Sequence, residues 1–174
     1  MARHDWVEWH RDYDDPGSLL SRRLELVQGH LRAELDHAPA GDIRLISLCA
    51  GQGRDVIGVQ VLRADAGITD ACAGAVPARI VVACGVFGNI TVSDIRATVA
   101  ALPSLCAPGA LVLWTRHRKA PDLTPAIRSW FGEAGFGEEA FDISRDGFMS
   151  VGAHRLTGDP AALVPGQRLF TFGR

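Results

Sequence analysis

The chain has 174 residues and a formal net charge of −2, with 18 Lys and Arg residues against 20 Asp and Glu residues. This length suits one domain with a sizeable core, so we expect a single domain over residues 1–174. The balanced charge excludes the strong basic excess that is typical of nucleic-acid-binding proteins.

The sequence also argues against a membrane protein and against a metal site. It contains no long run of consecutive apolar residues, and its N-terminus is charged. The four cysteines lack the C-x-x-C spacing of zinc sites and are interpreted as reduced residues, mostly of the core. We expect a soluble, cytoplasmic protein with no nucleic-acid or membrane partner and no metal; the sequence leaves a homodimer open.

Two short charged runs allow alternative interpretations. Asp12, Asp14 and Asp15 resemble a metal cluster, but carboxylates so close along a chain are usually a solvated loop. The basic run at 116–119 (RHRK) favours a solvated loop over an anion or RNA site, because such short runs are weak motifs.

The first predicted element is an amphipathic helix over 18–36, with Ser18 as its N-cap. This helix and the residues before it make up the N-terminal segment 1–36. The predicted apolar stripe of the helix consists of Leu19, Leu20, Leu24, Val27, Leu31 and Leu35.

Three apolar runs predict buried strands. Residues 43–48 (IRLISL) lead into the glycine-rich turn 49–53, and residues 79–84 (RIVVAC) form the second strand. Residues 110–115 (ALVLWT) form the third, which follows a turn at Pro108-Gly109. We expect these three strands to be neighbours in one sheet.

Helices alternate with these strands. One is predicted over 93–105 with Ser93 as its N-cap. Another begins at Thr124, has Pro125 at its first position and ends before Gly135.

The C-terminal part alternates apolar and polar residues over 136–143, 148–158 and 167–174, which predicts strands of a terminal antiparallel pair. The whole pattern predicts an α/β fold: a mostly parallel sheet with helices on both faces and an antiparallel strand at one edge. Such sheets bind ligands at the carboxyl ends of their strands, so the loops after Leu48 and Cys84 should form two walls of one crevice.

The strongest motif is ISLCAGQGRD at residues 46–55. A strand followed by Gly-x-Gly lets the backbone approach a ligand closely, and the N-terminus of the next helix offers free N–H groups to an anion. A tight strand-to-helix turn in any α/β protein has the same pattern. The motif alone therefore leaves both interpretations open.

Together with the segments after it, this motif resembles motif I of class I S-adenosylmethionine (SAM) dependent methyltransferases, of a small bacterial type. VLRADAG resembles the strand after which an acidic residue, here Asp65, binds adenine. RIVVACGVFGN resembles the fourth strand, whose end faces the methionine part of SAM. LPSLCAPGALVLWTRH and FGEAGF resemble the fifth strand and the helix end after it. The resemblance covers residues 43–174 and implies a Rossmann-like sheet with SAM as cofactor. The N-terminal segment 1–36 resembles the lid and leading helix found in one bacterial subgroup of the family.

The resemblance also implies the cofactor-binding residues. These are Tyr13, Cys49, Ala50, Gly51, Gln52, Gly53, Asp65, Ala66, Cys84, Gly85 and Val86. Tyr13 belongs here because Trp6, Trp9 and Tyr13 could form an aromatic lid, although these residues could equally staple the N-terminal segment to the core. Either Arg22 or Arg23 could reach the SAM carboxylate, with a helix-surface position favoured.

The sequence departs from the family pattern after the glycine-rich turn. The family has a helix, a strand with an acidic residue that holds the ribose, and another helix, where this chain has only residues 54–60. A parallel crossover needs a dozen or more residues, so roughly 30 to 45 residues, the size of a strand-helix-strand unit, are missing. We predict a break in the chain between residues near 58 and 62, with a true deletion as the alternative. Two departures are smaller: Cys49 stands where the family usually has a glycine, and Ser47 stands where an acidic residue is common.

These features favour methyl transfer from SAM to a small-molecule acceptor. In-line transfer needs mainly positioning, so the sequence need not display a catalytic acid or base. His117 and Asn89 are weak catalytic candidates, with a surface histidine and a turn cap as their alternatives, and His10 is a weaker one. The competing hypotheses are a non-catalytic SAM-fold binding or scaffold protein and an NAD(P) oxidoreductase, whose G-x-G-x-x-G spacing is absent.

Overall fold

The structure is a computed structural model that describes residues 11–48 and 65–173. The described helices and strands, in chain order, are α1 (Leu19–Asp36), β1 (Leu45–Ser47), β2 (Ala78–Ala83), α2 (Val92–Ala101), β3 (Cys106–His117), α3 (Thr124–Glu133), β4 (Phe136–Ile143) and β5 (Met149–Leu156). The glycine-rich turn at 49–53 and the predicted break near 58–62 lie outside the described residues.

The strands form one mixed five-stranded sheet in the order β1-β2-β3-β5-β4. The three strands that the sequence places side by side pair in parallel, as predicted. β5 runs antiparallel to both β3 and β4. The predicted terminal antiparallel pair is therefore confirmed at one edge of the sheet, but the C-terminal strand β5 lies inside the sheet and β4 forms the edge. The residues of β5 are mostly buried, whereas β4 carries the exposed Glu138 and Glu139, which suit an edge strand.

Apolar clusters cover both faces of this sheet. On one face, Val27 and Leu31 of α1 pack against residues of β2, β3 and β5, including Leu113. On the other face, Ile95 of α2 belongs to the larger cluster that contains Trp114. Leu113 and Trp114 are neighbours in β3, and successive side chains of a strand point to opposite faces. Helices therefore pack on both faces, as predicted.

The N-terminal helix begins as predicted, but its buried face differs from the predicted stripe. Ser18 is its N-cap and accepts a hydrogen bond from a backbone N–H of the first turn at 3.0 Å. Leu19 and Leu35 are exposed, whereas Arg23 and Glu34 are buried. Polar groups of other elements pair with these two charged side chains, and these tertiary contacts override the leucine periodicity.

The second helix has a different N-cap from the one that the sequence suggests. Thr91, not Ser93, caps α2, because the Thr91 hydroxyl accepts a hydrogen bond from the Asp94 N–H at 3.1 Å. The α-helix ends at Ala101 and continues as a short 3-10 helix, since Pro103 lacks the N–H that an α-helix needs there.

The third strand is longer than predicted. Cys106 already pairs with Ala78, but Ile80 pairs with Leu111, so an irregularity lies between these two pairs. The predicted Pro108-Gly109 turn falls at this irregularity, where Gly109 adopts a φ of +70°. Pro108 and Gly109 therefore lie at a bend within β3 and not at a turn before it.

The predicted strand at 167–174 is wrong for the described part of that segment. It makes a single β-bridge, between Ile68 and Arg168. Backbone hydrogen bonds of 2.8 and 3.1 Å hold it beside the loop that contains Ile68, away from the sheet. Its apolar residues Leu169 and Phe170 are nevertheless buried in the larger cluster.

Candidate active site

A crevice of about 290 Å³ opens at the carboxyl ends of β2 and β3. This is where parallel α/β sheets bind ligands, and ligand pockets begin at roughly this size. The described residues that line it are Asp12, Leu19, Leu20, Arg23, Gly85, Gly88, Asn89, Thr115, Arg116, His117, Phe148 and Met149. A larger hollow of about 410 Å³ lies between the loop before β1 and the start of β2, at the amino ends of the strands, where this fold does not place its ligands.

Gly85 forms the wall of the crevice at the end of β2. Its φ of +73° is a conformation that favours glycine. Its N–H donates to the Thr115 hydroxyl at 3.0 Å, and its carbonyl accepts from the Asn89 amide at 2.7 Å. A Cβ added here would meet no atom of the described residues within 4 Å, so the described part of the chain leaves the space beside this backbone open.

Asn89 lines the crevice and also closes the turn after β2. Its side chain donates to Gly85, and its backbone N–H donates to the Val86 carbonyl at 2.9 Å. The structure thus contains the turn-cap contact that was the alternative for Asn89. A role toward substrate stays a prediction.

Arg116 and His117, the last two residues of β3, both line the crevice. Arg116 is only 9% exposed. One of its guanidinium N–H groups donates to the Phe87 carbonyl, and its Nε is buried without a hydrogen-bond partner among the described residues. The prediction of a solvated loop is wrong here, because β3 extends through His117 and carries Arg116 into the interior.

His117 is half-buried and stacks on Phe148, with ring centroids 6.1 Å apart. Its Nδ1 is buried and has no partner among the described residues. Burial lowers the pKa of His117, and the cations Arg116 and Lys119 lower it further. The imidazole is therefore mainly neutral at pH 7 and can accept a proton.

Arg23 lies in the wall of the crevice that α1 supplies. It is buried, contrary to the favoured helix-surface position, and donates to the Tyr13 hydroxyl at 2.6 Å. The Tyr13 carbonyl also accepts from the Ser21 hydroxyl at 3.0 Å. Tyr13 is thus stapled to α1, which was the alternative to a lid, and it does not line the crevice.

Asp65 and Ala66, the predicted adenine contacts, do not line this crevice either. The exposed Asp65 carboxylate accepts from Arg168 at 2.8 Å and from the Gly67 N–H at 2.9 Å. The Arg168 hydrogen bond, followed by the Gly67 bond, lowers the pKa of Asp65. Asp65 therefore does not line this crevice with Gly85, and the adenine role stays a prediction.

The remaining predicted cofactor contacts divide into two groups. Cys84 and Val86 flank Gly85, and their side chains are buried in the apolar clusters. The second group lies outside the described residues and consists of Cys49, Ala50, Gly51, Gln52 and Gly53. Trp6, Trp9 and His10 also lie outside the described residues. Thr115 and Phe148 also line the crevice but were not predicted, although Thr115 could have been found as a polar residue that ends an apolar strand.

The part of the chain that comprises residues 11–48 and 65–173 contains no group of three or more His, Cys, Asp or Glu residues that could hold a metal ion. None of its helices is both long and apolar enough to cross a membrane. Cys72, Cys84 and Cys106 are buried thiols.

Solved structures with a similar fold share little sequence with this chain. A possible exported protein from Bordetella parapertussis has a TM-score of 0.59 at 16% identity, over 89% of this chain and 79% of that one. An O-methyltransferase family protein from Burkholderia thailandensis has a TM-score of 0.64 at 14% identity, over 90% and 62%. Magnesium protoporphyrin IX methyltransferase from Synechocystis PCC 6803, with bound SAM, has a TM-score of 0.60 at 13% identity, over 86% and 90%.

Such identities show the fold alone. The chain therefore has a mixed α/β fold that solved methyltransferase structures share. No protein-family model matches the sequence, and neither does any curated protein.

Proposed function

We propose that the protein is a SAM-dependent methyltransferase that acts on a small-molecule acceptor. The observation that carries this proposal is the crevice at the carboxyl ends of β2 and β3, on a fold similar to that of a methyltransferase with bound SAM. The crevice contains polar side chains and buried cations. Because a cleft can form without buried cations, their presence supports a binding site.

The described residues fit SAM in two respects. The open space beside Gly85 lets a ligand approach the backbone closely. Arg23, a buried cation in the same crevice, suits the carboxylate of the methionine part. Bound SAM supplies a methyl group on a positively charged sulfur, which is open to attack by a nucleophile. An adenine contact at Asp65 would have to share this carboxylate with Arg168.

The residues of the crevice position the acceptor and accept the proton that it loses. The hydrogen bonds of Gly85 with Thr115 and Asn89 hold the turn after β2 in one conformation. His117, mainly neutral at pH 7, can take the proton that a nucleophilic O–H or N–H loses on methylation. Phe148 and Met149 present apolar surface that limits the access of water.

Calorimetry with SAM, S-adenosylhomocysteine (SAH) and NADH tests the proposal. We expect SAM and SAH to bind with one site per chain and NADH not to bind. A protein that binds neither SAM nor SAH would rule out the proposed function.

A matched pair of glycine variants locates the site. Gly85 and Gly109 have φ values of +73° and +70°, and an added Cβ would meet no described atom within 4 Å at either position. Gly85→Ala and Gly109→Ala therefore carry the same backbone strain, but only Gly85 lines the crevice. We expect only Gly85→Ala to weaken SAH binding, by about tenfold. Equal SAH affinities in both variants would place the cofactor elsewhere.

A further inference from the structure

Arg116 is a buried cation with an incomplete set of partners. Its guanidinium carries five N–H donors. Among the described residues, its one hydrogen bond goes to the Phe87 carbonyl, and its buried Nε has no acceptor. Buried polar groups are almost always hydrogen-bonded in folded proteins, so this exception points to a missing acceptor.

The described carboxylates do not supply that acceptor. Asp122, whose charge acts on Arg116, already accepts from Arg118 at 3.2 Å and from Thr124 at 2.8 and 2.9 Å. Asp12 is the one carboxylate among the described residues that line the crevice, and it is exposed. Burial lowers the pKa of Arg116, whereas the charge of Asp122 raises it. The described residues that line the crevice include two arginines and one carboxylate.

Apolar surface lies beside this cation. His117, the next residue, also has a buried nitrogen without a partner among the described residues, and its ring stacks on Phe148. Phe148 remains substantially exposed and lines the crevice with Met149. The crevice therefore combines a donor for an anion with a wall for an apolar group.

We propose that the methyl acceptor carries a carboxylate bound by Arg116, with its apolar body against Phe148. This inference rests on the methyltransferase function proposed above. A guanidinium matches the planar carboxylate geometry. Because one arginine and a mainly neutral histidine supply little charge, a monoanion fits better than a phosphate dianion. The carboxylate positions the acceptor, and Arg23 remains for the carboxylate of SAM.

The test measures binding of four small probes to the full chain saturated with SAH. The probes are benzoate and hexanoate, with benzamide and hexanamide as their neutral analogues. We expect at least one acid to bind, and to bind at least tenfold more tightly than its amide. If neither acid outcompetes its amide, the carboxylate assignment is wrong.

Variants then identify the residue that recognises the carboxylate. We expect Arg116→Gln to weaken binding of the acid at least tenfold while SAH affinity stays within twofold. Arg116→Lys, which keeps the charge, should recover part of the affinity for the acid. This variant replaces Arg116→Gln in the test if Arg116→Gln does not fold. Arg118→Gln is the control, because Arg118 pairs with Asp122 and does not line the crevice. Acid binding that is unchanged in both Arg116 variants would overturn the proposal.

Three outcomes separate this inference from the proposed function. If Arg116→Gln abolishes SAH binding whereas Arg23→Gln does not, Arg116 binds the carboxylate of SAM, and the acceptor assignment is wrong. If wild-type protein does not bind SAH at all, the methyltransferase function fails and the acceptor role fails with it. SAH binding without any preference for acids over amides overturns the carboxylate assignment alone.

Discussion

Glu34 and Arg116 are both buried charged residues, at 6% and 9% exposure, but their surroundings differ. Glu34 lies between Arg79 and Arg155, at 2.8 and 2.9 Å from their guanidinium groups. Arg116 has one backbone carbonyl and no described carboxylate as a partner. A buried charge with opposite charges around it ties elements of the fold together, whereas one without them is available to a ligand.

The largest effect should follow from breaking the ion pairs of Glu34 with the two arginines. Glu34→Gln removes the charge that both arginines share, so we expect the free energy of unfolding to fall by about 3–4 kcal/mol. Urea denaturation at pH 7 measures this change. Glu25→Gln, at an exposed position of the same helix, is the control and should change stability by less than about 0.5 kcal/mol. A loss below 1 kcal/mol for Glu34→Gln would mean that the network contributes little.

His154 sharpens the comparison, because it is a buried titratable group that stays neutral. Its Nδ1 accepts from the Trp114 indole N–H at 3.2 Å, and burial lowers its pKa from 6.5 to about 4. The unfolded chain therefore binds a proton that the folded chain does not, and stability falls as pH drops from 6.5 toward 4. Between pH 7 and pH 5 we expect a loss of about 2 kcal/mol.

The variant His154→Gln isolates this contribution from other titrating groups. We expect its stability to depend less on pH than that of the wild type, by the same amount of about 2 kcal/mol over this interval. Urea denaturation of both proteins at pH 5 and pH 7 measures the difference. Parallel pH profiles would show that His154 does not titrate in this way.

A smaller effect, of opposite sign to that of Glu34→Gln, is expected at Arg116. Arg116→Met replaces an incompletely paired cation by an apolar side chain of similar length, so stability without ligand should be unchanged or rise by about 1 kcal/mol. Arg118→Met, which breaks a partly exposed pair with Asp122, should cost about 0.5 kcal/mol. A loss above 2 kcal/mol for Arg116→Met in urea denaturation would make Arg116 a structural ion like Glu34.

Local patterns in the sequence predicted most of the secondary structure. Ser18 caps α1, the three apolar runs form neighbouring parallel strands, and Gly135 follows α3 with a φ of +85°. These features depend on hydrogen bonds and apolar spacing within a few residues, which a sequence displays directly. The error at the N-cap of α2, Thr91 in place of Ser93, is a choice between similar neighbouring residues. The errors at 167–174 and on the buried face of α1 instead come from contacts between distant segments.

The sequence by itself determined the α/β class and the three neighbouring strands, and it predicted a crevice at their carboxyl ends. A crevice lies at the ends of β2 and β3, whereas the wall predicted after Leu48 lies outside the described residues. Only the tertiary structure decided which charges in that fold are paired. Glu34 meets Arg155 across 121 positions of the chain, and Arg116 and Arg23 reach one crevice from β3 and α1. Whether a charged residue is buried, and what surrounds it, depends on contacts between distant segments, which no local spacing of residue types records.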